Sequence, residues 1–108
     1  MILNVHISEQ VFPIEVPESL VSEAAEFFDR MDSDLDRGYQ MSRTWVDNPD
    51  HIMRCQIAAD KMVTAMETEN EPLKMMMAAY IVSRLPNVSD VYISIEGNML
   101  EHEFETRG

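Results

Sequence analysis

The chain has 108 residues, of which 45% are apolar and 26% are charged, and its 20 acidic against 8 basic side chains give a formal net charge of −12. This length and apolar content are typical of a globular protein, so we expect residues 1–108 to form a single domain. The negative charge argues against binding to the nucleic-acid backbone and to anionic membranes, where positive side chains supply the attraction. It favours either a simple solubilising surface or an acidic surface for a basic protein partner.

The cysteine content and the first residues predict a cytoplasmic location. Cys55 is the only cysteine and cannot form a disulfide within the chain. The first residues lack the basic start and the long apolar run of a signal peptide. A reducing compartment is therefore expected.

Alternating apolar residues predict a pair of strands near each end of the chain. Residues 2–7 and 12–16 alternate in this way, and Pro13 restricts the second strand to a sheet edge or an irregular position. Residues 88–104 predict a second hairpin. Its turn is assigned to Gly97 and Asn98, and one face of its return strand to Leu100, His102 and Phe104.

Helical spacing predicts three helices between these strand pairs. The first follows Pro17 and ends at Gly38, with residues 41–46 as a weaker continuation, and the second begins at Asn48. The third covers residues 73–85 and is apolar on nearly all sides, yet it is well short of the roughly 20 residues that cross a bilayer. It must therefore be buried in protein. The order ββαααββ predicts an α+β fold, with helices packed against a small sheet.

Asp32, Asp34 and Asp36 have the spacing that opens an EF-hand calcium loop. The rest of that motif is missing, because Arg37 occupies the glycine position and Arg43 the position of the bidentate glutamate. A solvated helix end is the better interpretation.

His51 and Cys55 stand four residues apart at the start of the second helix, so both side chains could reach one zinc or copper ion. Two ligands are too few, and nearby carboxylates or another histidine would have to complete the site. In the alternative interpretation, Cys55 packs as a small apolar group beside a histidine at the helix start. A small-ligand or metal-binding protein with a pocket between helices is therefore the second functional hypothesis.

No motif for catalysis is present. The chain has no GxSxG, HExxH, Glu-x-x-His or glycine-rich phosphate sequence, so we expect neither catalytic residues nor a cofactor. Its ten methionines fall mainly in helical stripes, where methionine serves as a core filler or as part of an adaptable binding surface. An enzyme is the least favoured interpretation.

A cluster of aromatic and apolar residues lies between the first two helices. Interspersed arginines give this segment the composition of an interface hot spot, although Trp45 alone could simply close the end of the core. A third helix that is apolar on all sides also suggests that a second copy covers it. We therefore expect a non-enzymatic interaction or regulatory module that binds itself, as a homo-oligomer, or another protein. The predicted partner-binding residues are Tyr39, Met41, Trp45 and Val46.

Overall fold

The structure is a computed structural model that describes residues 1–107. It confirms the predicted α+β class, with strands near both ends of the chain and helices between them. In chain order the elements are β1 (Ile2–Ile7), β2 (Gln10–Glu15), α1 (Glu18–Glu23), α2 (Ala25–Leu35), β3 (Tyr39–Met41), β4 (Thr44–Val46), α3 (His51–Glu67), α4 (Glu71–Arg84), β5 (Val88–Ile93) and β6 (Glu103–Thr106), with a 3-10 turn at Met99–Glu101 before β6.

The main sheet has the strand order β2-β1-β5-β6. β1 pairs antiparallel with β2 and parallel with β5, and β5 pairs antiparallel with β6. Parallel strands need a long crossover, which the helices supply. β2 lies at an edge, as Pro13 predicts, since proline has no N–H to donate to a neighbouring strand.

One face of this sheet packs against the helices and forms the main core. Leu3, Val5 and Val91 point to that face and are fully buried, in one cluster with Tyr80 and Ile81 of α4. Helix α4 is covered by α1, α3 and the sheet within one copy of the chain. Its burial therefore gives no argument for a second copy. Within residues 1–107, no helix combines the length and apolar content needed to cross a membrane.

Asparagine and aspartate side chains cap the two long helices. Asn70 accepts a hydrogen bond from the Leu73 N–H at 3.2 Å and begins α4, as predicted. The start of α3 differs from the prediction, because Asp50, not Asn48, is the cap and accepts from the Met53 N–H at 2.9 Å. Either residue type can satisfy free N–H groups at a helix start. Asp50 is the cap because it lies in extended backbone directly before the first helical residue.

The predicted helical continuation through residues 41–46 is wrong, because this segment forms the antiparallel hairpin β3–β4. Gly38 has a φ of +105° and ends the helical region, and Ser42, with a φ of +59°, makes the turn between the two strands. Backbone in this left-handed region cannot continue a right-handed helix. The first predicted helix is also divided, at Ala24, into α1 and α2.

The predicted return strand near the C-terminus begins later than its apolar spacing suggests. Leu100 lies in the 3-10 turn, His102 caps that turn and is buried, and only Phe104 lies in β6. Gly97 has a positive φ of 78°, but it belongs to a longer loop. The alternation of residues 100–104 thus reflects a buried turn followed by a short strand.

Candidate functional site

The hairpin β3–β4 separates the predicted partner-binding residues onto two faces. Tyr39 pairs with Val46 and Gln40 pairs with Trp45, and residues directly opposite in an antiparallel pair point to the same side. Tyr39, Met41 and Val46 therefore face the protein, where Met41 is fully buried. Trp45 faces solvent and is 56% exposed.

Trp45 is held in place although it is exposed. Its indole N–H donates to Asp47 Oδ1 at 2.7 Å. The ring also lies over Gly38, where an added Cβ would come within 2.5 Å of Trp45 Cζ2. Glycine at this position thus permits both the positive φ and the close approach of the indole.

A second, smaller core packs against the protein-facing side of the hairpin. Met41 packs there with Leu35 of α2, Ile57 of α3 and Met99 of the 3-10 turn. The Met99 N–H donates to Ser42 Oγ at 2.9 Å, which ties the hairpin turn to the C-terminal part of the chain. Three separate segments thereby fix the position of β3–β4.

A polar cluster centred on Asp32 lies between α2, α3 and α4. Asp32 accepts hydrogen bonds from Tyr80 Oη at 2.5 Å and from Arg84 Nη2 at 2.7 Å, and Arg54 Nη1 approaches it at 3.4 Å. Burial alone would raise the pKa of Asp32, but these hydrogen bonds outweigh burial and hold the pKa below its ordinary value of 3.8. Asp32 therefore binds the chain's own arginines.

Arg54 connects this cluster to the segment that follows the hairpin. Its guanidinium donates to Asp36 Oδ1 at 2.7 Å, to Asn48 Oδ1 at 2.9 Å and to the Pro49 carbonyl at 2.7 Å. Asp32 and Asp36, two members of the calcium-like triplet, thus face guanidinium groups and support the fold. Asp34 and Asp36 are exposed, as the interpretation of the triplet as a solvated helix end requires, whereas Asp32 is partly buried in the cluster.

The two predicted metal ligands lie in different environments. His51 is exposed at the first position of α3, whereas Cys55, one turn later, is fully buried in the main core. Burial raises the pKa of the Cys55 thiol to about 12, so the thiolate that binds metals is scarce at neutral pH. Among residues 1–107, no group of three or more His, Cys, Asp or Glu side chains is arranged to hold a metal ion.

His102 is a buried histidine that holds the loop before β6. Its Nδ1 accepts a hydrogen bond from the Ser94 N–H at 3.0 Å, so the proton is on Nε2, which lies 3.4 Å from Asp60 Oδ1. Gln56 donates to the Leu100 and His102 carbonyls at 2.9 and 3.0 Å. Burial lowers the pKa of His102, against the opposing effect of Asp60. The neutral ring is the form that fits this loop.

A groove of about 610 Å³ lies between α2, α3, α4 and β3. Neither His51 nor Cys55 lines it. Phe27 and Met31 lie at helical spacing in the sequence, but such spacing alone does not distinguish the wall of a groove from the core. Phe27 is in fact 38% exposed. The apolar lining consists of Phe27, Met31, Leu35, Tyr39, Leu73 and Met77.

Comparison with known proteins gives no relative from which residue roles could be transferred. No family model, curated protein or solved structure matches this chain.

Proposed function

We propose that this chain is a non-enzymatic protein-interaction module that associates with a second copy of itself through the outward face of β3–β4. This face, here called the Trp45 surface, consists of Gln40 and Trp45 with Arg43 in the adjoining turn. The observation that carries the proposal is that Trp45 is 56% exposed and yet fixed by Gly38 and Asp47.

Rigid presentation matters for binding, because a partner does not have to order a side chain that is already ordered. Tryptophan is enriched among the residues that contribute most to interface energies, since it buries a large apolar area and keeps a polar N–H. The indole N–H of Trp45 already donates a hydrogen bond to Asp47, two residues further along the chain. Its ring can therefore enter an interface without leaving an unpaired donor.

The charges near the Trp45 surface suit a symmetric contact. A second copy of a chain with a net charge of −12 is repelled overall, but exposed charges farther apart than about 8 Å are largely screened in physiological salt. Arg43 belongs to this surface, and Arg37 and Asp47 are close to it in the sequence. In a two-fold contact each patch meets its own equivalent, so we propose that Arg43 of one copy pairs with Asp47 of the other.

The environments of the potentially reactive side chains support a non-enzymatic role. Cys55 is fully buried with a raised pKa, and burial together with Asp32 also raises the pKa of the Tyr80 hydroxyl. Asp32 is engaged by Tyr80 and Arg84, and His102 holds a loop. Each of these groups already has a structural partner or is shielded from solvent.

Sedimentation equilibrium over a wide range of protein concentration tests the proposal. We expect a dimer for the unmodified chain, and we expect Trp45→Ala to weaken it by about thirtyfold or more, the factor that corresponds to a hot spot of about 2 kcal/mol. Ile95→Ala is the matched control, because Ile95 is 67% exposed but lies outside the hairpin. Circular dichroism should show that both variants remain folded. A monomer at the highest concentration, or an equally strong dimer of Trp45→Ala, would contradict the proposal.

A further inference from the structure

The groove between α2 and α4 has the size and lining of a small-molecule site. Its volume of about 610 Å³ falls within the roughly 300–1,000 Å³ of ligand pockets. Leu35 and Met77 are buried in its floor, whereas Phe27 is exposed and Leu73 half-buried along its walls. Apolar surface therefore faces solvent along a concave path.

Three charged side chains also line this groove, namely Arg30 and Asp34 of α2 and Lys61 of α3. The local balance is positive, in contrast to the −12 of the whole chain. Among the described residues 1–107, neither Arg30 nor Lys61 forms an ion pair, although acidic residues are abundant. The Lys61 amino group lies 5.4 Å from the centre of the Tyr39 ring, over its face.

We propose that this groove binds a small amphipathic carboxylate. The apolar chain of the ligand lies along Phe27, Leu73 and Met77, and its carboxylate is held by Arg30 and Lys61. Carboxylates fit this pair because hydrogen bonds from charged donors to an anionic oxygen are stronger than those between neutral groups. The groove and the Trp45 surface share no residue, so this proposal and the proposed self-association can fail separately.

Ligand charge gives a sharp test, because non-specific attraction acts in the opposite direction. A protein with a net charge of −12 attracts cations from a distance, so a cationic amphiphile has the advantage unless the groove itself selects an anion. We would titrate the full chain with decanoate and with decyltrimethylammonium, each below its micelle concentration. We expect decanoate to bind more tightly by about tenfold, the value of one charge-assisted hydrogen bond.

The methionines report where the ligand binds. In NMR spectra of protein labelled at the methionine methyl groups, decanoate should shift Met31 and Met77, which line the groove. Met41 and Met62 serve as internal controls, because both are fully buried and neither lines the groove. Shifts confined to other methionines would overturn the proposal.

A pair of double variants tests the two cations. Arg30→Gln with Lys61→Gln should lower decanoate affinity by about tenfold or more. Arg37→Gln with Arg43→Gln removes the same charge outside the groove and should change the affinity less than twofold. Melting temperatures confirm that each variant is folded, and the comparison of the two ligands on the unmodified chain needs no variant. Equal or tighter binding of decyltrimethylammonium, or equal effects of the two double variants, would overturn the proposal.

Discussion

Replacing Asp32 by alanine should destabilise the protein far more than a typical surface substitution. The side chain is a shared acceptor for Tyr80, Arg84 and Arg54, which come from two other helices. Tyr80 is fully buried, so its hydroxyl would be left without an acceptor. The change therefore removes a junction between α2, α3 and α4.

The magnitude follows from what each donor loses. A buried hydroxyl without a partner costs roughly 1–3 kcal/mol, and a hydrogen bond to a charged group contributes roughly 1.5–3 kcal/mol before solvent screening is considered. Arg84 is partly exposed and Arg54 keeps Asp36 and Asn48, so both losses are reduced. We expect a total of about 3 kcal/mol, a large part of the roughly 5–15 kcal/mol that stabilises a typical domain.

Urea denaturation followed by circular dichroism measures this loss, and Asp34→Ala is the matched control. Asp34 lies on the same helix and carries the same charge, but among residues 1–107 its carboxylate makes neither a hydrogen bond nor an ion pair. Its replacement should change the free energy of unfolding by less than about 0.5 kcal/mol. The reasoning would be refuted if the free energies of unfolding of Asp32→Ala and Asp34→Ala differed by less than about 1 kcal/mol, which is on the order of the scatter among surface substitutions.

A double-mutant cycle gives a further check. Tyr80→Phe alone should destabilise the protein, because Asp32 loses a donor. In the Asp32→Ala background the same change should instead stabilise it by about 1 kcal/mol, because it removes the unpaired buried hydroxyl. A Tyr80→Phe effect of the same size in both backgrounds would show that the two side chains are not coupled.

Three further outcomes are expected. Burial lowers the folded-state pKa of His102 below 6.5, so the unfolded chain binds a proton first and stability should fall as the pH drops below 6.5 toward the folded-state pKa. His102→Gln should flatten this slope in urea denaturation, and an unchanged slope would contradict the assignment. Cys55 is fully buried with a pKa raised to about 12, so a thiol reagent should label it only as fast as the native structure opens, and rapid labelling of the folded protein would contradict this. Gly38→Ala should cost about 1–2 kcal/mol and increase the solvent quenching of Trp45 fluorescence, because alanine is strained at a φ of +105° and displaces the indole.

Local signals were sufficient for much of the fold. The alternation of residues 2–7 and the Asn70 cap depend on neighbouring residues in the sequence, and both predictions are confirmed. The hairpin was missed because Met41 and Trp45 are four residues apart, which is also a helical spacing. Contacts of Met41 with Leu35, Ile57 and Met99 instead favour the strand, and no local pattern contains them.

The candidate sites were harder to predict, because they depend on contacts between distant residues. Asp32 meets Arg84, which is 52 residues away in the chain, and the sequence offered only the incomplete calcium motif around Asp32. Similarly, Trp45 was grouped with Met41 because they are close in sequence. The strand register then placed their side chains on opposite faces of the hairpin.

The positive side chains connect the two proposals. Arg54, Arg84 and Lys74 form ion pairs with acidic residues, so they stabilise helices and leave little positive charge for a ligand. Several other basic side chains make no ion pair within the described residues 1–107, and in a strongly acidic chain their positions indicate where anionic groups can approach. Those near the two proposed surfaces are Arg30 and Lys61 in the groove, and Arg37 and Arg43 around the hairpin.

The two surfaces can therefore be tested against each other. Removal of the groove cations should lower decanoate affinity and leave the sedimentation equilibrium unchanged, whereas removal of the hairpin arginines should weaken the dimer and leave decanoate binding unchanged. Both pairs of substitutions take the net charge from −12 to −14. A general charge effect would therefore make the two double variants behave alike in each assay. Local contacts predict that each variant affects only one assay. If each variant affects both, net charge and not the geometry of either surface controls binding, and both proposals lose their physical basis.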